Sequence, residues 1–250
     1  MPAPKNLLKA RMKAGDVLAG CWLSLANPYT TEVAATAGFD WLLLDGEHSP
    51  NDIPTLLAQL QVMGDVPAVV RLPDGDPVKI KQVLDIGAQS ILIPMVNSAE
   101  EAETLVRACR FPPAGTRGVG AFLARASRFG AIPDYVATAD AETCLIVQIE
   151  SRAALYNLDA ILAVEGVDAA FIGPADLAAD FGRSPSDPEM RSLVMKTLTR
   201  IDATGCCAGV FSIDPDYMRE AKDAGARFLG VGADITLLAD ALRARAGEWA

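Results

Sequence analysis

Four short apolar runs in this chain end on polar residues whose types suit metal and proton chemistry. WLLLD closes on Asp45-Gly46-Glu47-His48, and AVVR closes on Arg71. CLIVQIE delivers Gln148 and Glu150, and AAFIG opens onto Pro174-Ala175-Asp176. Glu150 and Asp176 make a carboxylate pair of the kind a hard divalent cation takes, leaving positions for water and substrate oxygens. His48 is the only histidine, and an imidazole with an unperturbed pKa of ~6.5 suits reversible proton transfer. A single histidine excludes an all-histidine zinc triad, and no cysteine pair has zinc spacing. A lysine Schiff base finds no support either: Lys5, Lys9, Lys13, Lys79, Lys81, Lys196 and Lys222 fall in helix-like segments or their flanks.

Each residue also has a structural role open to it. Asp45 could cap the next helix, and Arg71 could pair with a surface carboxylate. Glu150 could pair with Arg152, and Asp176 could cap the helix that begins near Leu177. Together at the ends of successive runs, they point to a shared site.

The elements that must position them repeat regularly. Apolar, β-leaning runs fall at Gly20–Leu25, Asp40–Asp45, Ala68–Arg71, Ser90–Pro94, Cys144–Glu150, Ala169–Gly173, Cys207–Phe211 and Phe228–Gly232. Helix-length amphipathic stretches separate them, the pattern of an α/β fold with a closed parallel barrel. Strands covered on both sides are continuously apolar, as WLLLD, SILIP and CLIVQIE are. In such a (β/α)8 barrel the active site lies at the C-terminal ends of the strands, where the polar residues above converge. Pro77–Ile86 stops at Gly87, Ser98 opens a helix to Arg110, and Asp214-Pro215 opens another that stops near Gly225. No break in composition divides residues 1–250, so one domain is expected.

Phe111 to Glu142 is too long for a plain barrel connection, and such loops tend to be functional or to make contacts. Ile235 to Trp249 reads as an amphipathic helix carrying Leu237, Leu238, Leu242 and Trp249, packed on its own barrel or on another subunit.

Composition narrows the function classes. A net charge of −10 and a sequence pI of about 4.6 argue against nucleic acid and anionic membranes, whose phosphates are bound by Lys and Arg. Mean hydropathy is +0.23, yet no run is long enough to span a bilayer. The N-terminal residues lack the apolar segment of a signal peptide. Cys21, Cys109, Cys144, Cys206 and Cys207 are odd in number and sit mostly in apolar segments, as expected in a reducing, cytoplasmic setting.

WLLLDGEHSP, AVVRLP, the QIE of CLIVQIESRAAL and FIGPADLAADFG together resemble the HpcH/HpaI family of metal-dependent class II pyruvate aldolases. This is the group of 4-hydroxy-2-oxoheptanedioate and 2-dehydro-3-deoxyglucarate aldolases. The similarity runs from GCWLSL around Trp22 to GVGAD at Asp234. It implies a TIM barrel that makes or breaks a carbon–carbon bond between a 2-oxo acid enolate and an aldehyde. The donor would be pyruvate, or hydroxypyruvate where Trp22 and the Phe211 region leave room at C3. Glu150 and Asp176 would hold Mg²⁺, Mn²⁺ or Co²⁺. His48 and Asp45 would form a proton-transfer dyad, and Arg71 would bind the keto oxygen. Gly173, Pro174 and Ala175 would meet the substrate carboxylate, and Gln148 would orient substrate or a metal-bound water.

The resemblance also implies a C-terminal helix exchanged between subunits, in a homohexamer built as a trimer of dimers. The long connection would then bring Arg117–Gly120 near a neighbouring site, where the alternative is a self-packed excursion. Ala178 departs from a pattern that often has serine after GPADL. Two other activities stay open: a related lyase acting on a coenzyme A thioester, and a phosphate-binding barrel isomerase using GVGAD.

Overall fold

In the computed structural model, which describes residues 1–249, the eight apolar runs become parallel strands that close in sequence order into a barrel. They are β1 (Leu18–Leu23), β2 (Trp41–Asp45), β3 (Ala68–Arg71), β4 (Ser90–Ile93), β5 (Cys144–Ile149), β6 (Ala169–Ile172), β7 (Cys207–Phe211) and β8 (Phe228–Ala233). Helices α1 (Leu7–Ala14) to α5 (Ala99–Cys109) include α2 (Pro28–Ala35), α3 (Ile53–Val62) and α4 (Pro77–Asp85). They are followed by α6 (Tyr135–Glu142), α7 (Arg152–Tyr156), α8 (Leu158–Leu162), α9 (Pro174–Asp180), α10 (Pro188–Asp202), α11 (Pro215–Asp223) and α12 (Asp234–Gly247).

Side chains alternate across a strand, so its two faces belong to two different cores. Leu42 and Leu44 of β2 join the layer between strands and helices, with Val70, Ile91, Leu145 and Val147. Trp41 and Leu43 point the other way, into a barrel interior shared with Val69, Leu92, Ile146, Phe171 and Phe228. The same parity decides where the chemistry goes. Asp45 follows Trp41 and Leu43 inward, Arg71 follows Val69, and Gln148 follows Cys144 and Ile146. Packing inside the barrel is steric as well as apolar: a Cβ on Gly20 would lie 2.1 Å from the Trp41 ring. Trp41 stacks on Phe228 with centroids 3.9 Å apart, and its indole donates to Leu18 O at 3.2 Å.

Helix α1 closes the opposite end. Leu8 and Met12 enter the interior cluster, and Asn6 caps the helix by accepting from the Lys9 N–H at 3.0 Å. The sequence reading put Lys9 and Lys13 in a helix-like segment or its flank without placing it at the barrel's end. Helix ends elsewhere follow the cap chemistry: Ser98 accepts from the Glu101 N–H and Asp214 from the Asp216 N–H.

The long connection is a structured excursion. It contains two short 3-10 turns, Ala121–Leu123 and Arg125–Ser127, and its last eight residues form α6. Arg117 is turned into its own chain, pairing with Asp85 at 2.7 Å and lying over the Phe111 ring at 4.4 Å. Its guanidinium is buried within its own chain, whereas Val119, Phe122, Leu123 and Phe129 are exposed. Helix α12 lies where the sequence places it, but none of its residues is buried.

Candidate functional site at the C-terminal rim of the barrel

Parallel pairing sets Asp45 of β2 directly beside Arg71 of β3. Arg71 Nε donates to Asp45 Oδ1 at 2.9 Å, and Nη2 donates to Oδ2 at 2.8 Å, a two-point contact that fixes the guanidinium plane. Asp45 Oδ1 also accepts from the N–H groups of Glu47 and His48, so the residue caps the following turn as well. Burial alone would raise its pKa, but the Arg71 hydrogen bond and charge and the two N–H groups hold it below the usual carboxylate range. Ser49 Oγ and Asn51 Nδ2 both donate to Asp45 O and pin the loop beyond.

This arrangement departs from the expected dyad. His48 reaches Asp45 only through its backbone N–H, because Arg71 and the turn occupy the carboxylate. The imidazole is 70% exposed, and its nearest acidic partner is Glu47, with Nε2 3.8 Å from Oε2. That same Oε2 lies 2.7 Å from Arg71 Nη1. Glu47 is thus a site residue that the sequence reading passed over, although it stands inside DGEH. Burial raises its pKa, opposed by Arg71 and His48 and reinforced by Asp45 and Asp176.

Across the mouth, Glu150 follows β5 and is 3% exposed. Its Oε1 accepts from the Met95 N–H at 2.7 Å, and its Oε2 accepts from Gln148 Nε2. Met95 presents that N–H from a left-handed backbone conformation, φ +55°, which is strained for a side chain of this size. Arg152 does not pair with Glu150; it binds Asp180 and lies over Phe181. Burial, with the charges of Asp176 and Glu47, pushes Glu150 up to about 7 against the pull of the Met95 N–H and Arg71. Gly173 is what lets this side chain in, since a Cβ there would lie 2.3 Å from Glu150 Oε2.

Asp176 sits in the first turn of α9, exposed, while Gly173 occupies the cap position that the sequence allowed to Asp176. Pro174 is partly buried and Ala175 exposed on the same turn, and Ala178 is buried among the outer-layer apolar residues. Trp22 closes one wall, 5.3 Å from Phe171 and 5.0 Å from Phe211 by ring centroids, with the Arg71 guanidinium 5.8 Å from its ring.

The donor set fits a divalent cation. The charges of Asp176 and Glu47 help raise the pKa of Glu150, those of Asp45 and Asp176 that of Glu47, and Arg71, already shared by two carboxylates, opposes both, joined by His48 at Glu47. Gln148 Oε1 is buried without a hydrogen-bond partner. Its amide orientation is fixed because the other end faces a carboxylate. Among the described residues no three acidic, histidine or cysteine side chains form a ready-made cage. Two carboxylates with open positions is the pattern Mg²⁺-type ions accept. At GVGAD, by contrast, the Asp234 carboxylate itself takes the N–H groups of Ser24, Leu25 and Ile235 and sets a negative charge there.

The sequence model of the family described as HpcH/HpaI aldolase/citrate lyase matches residues 18–241. A hydroxypyruvate/pyruvate aldolase of Roseovarius nubinhibens is 53% identical, with 100% of this chain and 98% of the relative covered. A 4-hydroxy-2-oxo-heptane-1,7-dioate aldolase of Salmonella dublin is 50% identical, with 97% and 95% covered. Among solved structures, an HpcH/HpaI aldolase/citrate lyase family protein from Burkholderia cenocepacia J2315 superposes with a TM-score of 0.93 at 36% identity. That match covers 98% of this chain and 99% of that one.

Proposed function

This chain belongs to the HpcH/HpaI aldolase/citrate lyase family, and from that membership we propose that it is a metal-dependent aldolase. It joins or separates a pyruvate-type 2-oxo acid and an aldehyde. The observation that carries this reading is Glu150, a buried carboxylate with no cation of its own, set across the barrel mouth from an immobilised arginine.

Glu150 and Asp176 are the residues that would hold Mg²⁺, Mn²⁺ or Co²⁺. Bound there, the ion supplies positive charge to the donor's carboxylate and keto oxygens. The chain's own groups do the rest. A guanidinium has five N–H donors. Asp45 uses one on Nε and one on Nη2, and Glu47 uses one on Nη1. One donor remains on each terminal nitrogen, placed by Asp45 to meet the keto oxygen as charge develops on it. His48, free at the mouth, would protonate the new alkoxide during addition and remove the hydroxyl proton during cleavage. Gly173, Pro174 and Ala175 would receive the substrate carboxylate, Gln148 would present its free Oε1 to a substrate hydroxyl or a water, and Trp22 would wall the donor's C3.

The test is proton–deuterium exchange at C3 of pyruvate, followed by NMR on EDTA-stripped protein before and after Mg²⁺, Mn²⁺ or Co²⁺ is added. Exchange that appears only with metal is the expected result. No exchange from pyruvate or hydroxypyruvate with any of the three ions would overturn the reading.

The protein would work as one barrel domain in the cytoplasm, where its five free cysteines stay reduced. No helix among the described residues is long and apolar enough to cross a membrane. We further propose a homo-oligomer, a hexamer of three dimers, in which α12 is exchanged between subunits. Supporting this, Leu237, Leu238 and Leu242 are exposed on α12, and an apolar groove of about 260 Å³ opens beside β8, lined by Ile213, Met218, Leu229 and Val231. Leu238→Asp combined with Leu242→Asp should reduce the mass seen by light scattering to that of a smaller assembly. An unchanged mass would remove α12 from the interface.

A further inference from the structure

We infer that Asn97 is a positioning residue of the metal site, the side chain that holds Met95 in its left-handed turn and so keeps the Met95 N–H on Glu150. The inference rests on the reading of Glu150 as a metal ligand. Among the described residues, Ala26, Met95, Arg128 and Phe129 are the non-glycine residues with left-handed backbone. Met95 is the one whose N–H donates to Glu150, at 2.7 Å. A methionine resists that conformation, and its side chain, 50% exposed, is only partly enclosed. The turn is held through the backbone instead. The Val96 N–H donates to Gln148 O at 3.3 Å, and Asn97 Nδ2 donates to Met95 O at 2.7 Å.

Asn97 also reaches Glu150 along the chain. Its Oδ1 accepts from the hydroxyl of Ser151, the residue after Glu150, and Ser151 Oγ accepts in turn from the Ala154 N–H at 3.0 Å, capping α7. Met95 O can only accept and Ser151 gives its proton to Asn97, so the two contacts fix which end of the amide faces which. The main chain of Asn97 is anchored as well: its N–H donates to Glu101 Oε2 and its C=O accepts from Asn157 Nδ2, both at 2.7 Å. One side chain therefore ties the loop after β4 to the loop after β5, and the Glu150 carboxylate takes its aim from both. The partners behind a metal ligand orient it and so set its affinity for the ion.

Mn²⁺ titrated into metal-stripped protein, with the free ion followed by EPR, tests this without turnover. Asn97→Ala should raise the Kd for Mn²⁺ about 10–100-fold, the range for losing a partner behind a metal ligand. Asn97→Asp still accepts from Ser151 but cannot donate to Met95 O, so it should raise the Kd too. Adding Met95→Gly to Asn97→Ala should bring the Kd back to within about fivefold of wild type, because glycine takes a left-handed turn without being held there. A role confined to stability would lower the melting temperature of Asn97→Ala and leave its Kd unmoved, against the inference. A Kd within about twofold of wild type in either single variant, or no recovery on adding Met95→Gly, would overturn the inference while leaving the aldolase reading intact. Wild-type protein that binds no Mn²⁺ would overturn the metal reading itself, and this inference with it.

Discussion

Arg71→Ala is expected to lower the rate of pyruvate C3 exchange by about 10³-fold at saturating metal, the loss associated with removing an oriented donor from a developing oxyanion. The effect should be in kcat more than in KM, since charge accumulates on the keto oxygen only as the proton leaves. Two consequences of the deletion have to be separated. Arg71 is also the partner of Asp45, which is 2% exposed, and stranding a buried carboxylate costs about 3–5 kcal/mol of stability. Arg71→Lys separates them. It keeps a positive charge near Asp45 but cannot make the two-point contact or keep two further N–H groups aligned. It should fold close to normally and still lose most of the exchange rate. A lysine variant with a near-native rate would mean that charge alone suffices and that the guanidinium geometry is incidental.

Much of the barrel was legible because its strands are buried on both faces and their apolar character runs unbroken. β3 and β7 begin and end where the sequence places them, and β5 and β6 end one residue earlier than expected. β1 is offset by two residues, spanning Leu18–Leu23 instead of Gly20–Leu25. The cause lies far along the chain. Asp234 takes the N–H groups of Ser24 and Leu25 and ends the strand there, a contact no local pattern carries. The packing of helix α1 was not legible for a similar reason. Its burial depends on the open end of the barrel, and its own apolar pattern is weak.

The site was legible at the level of which residues gather, and much less so at the level of who pairs with whom. Strand parity sends Asp45, Arg71 and Gln148 inward, and that follows from a two-residue period. The register that sets Asp45 beside Arg71 is a tertiary fact, and it takes the carboxylate away from His48. Glu47 and His48 are adjacent in sequence, yet the turn built on Asp45 is what brings Glu47 Oε2 onto Arg71. Met95 contributes through a backbone N–H, which side-chain chemistry in the sequence cannot announce.

Glu150→Gln is expected to abolish metal binding and turnover and, at the same time, to stabilise the metal-free protein at pH 8. The sign follows from the raised pKa. From an ordinary value of 4.5, burial and the neighbouring carboxylates push Glu150 up to about 7, so between these values the folded state holds a proton that the unfolded chain releases. That contribution is complete below pH 4.5 and is lost as pH rises through 7. At pH 8 the buried charge then costs about 3 kcal/mol at the usual conversion. The new amide removes that charge while still accepting from the Met95 N–H. Gln148 need only turn its amide over to offer its unpartnered Oε1 to the incoming NH₂. Metal-free Glu150→Gln should melt roughly 5–10 °C above metal-free wild type at pH 8, with little difference at pH 5. Added Mn²⁺ should raise the melting temperature of wild type and leave the variant unmoved, because only a bound ligand stabilises the folded state. An equal rise in both proteins would take Glu150 out of the metal site. A variant less stable than wild type at pH 8 would mean that its carboxylate is already compensated without metal.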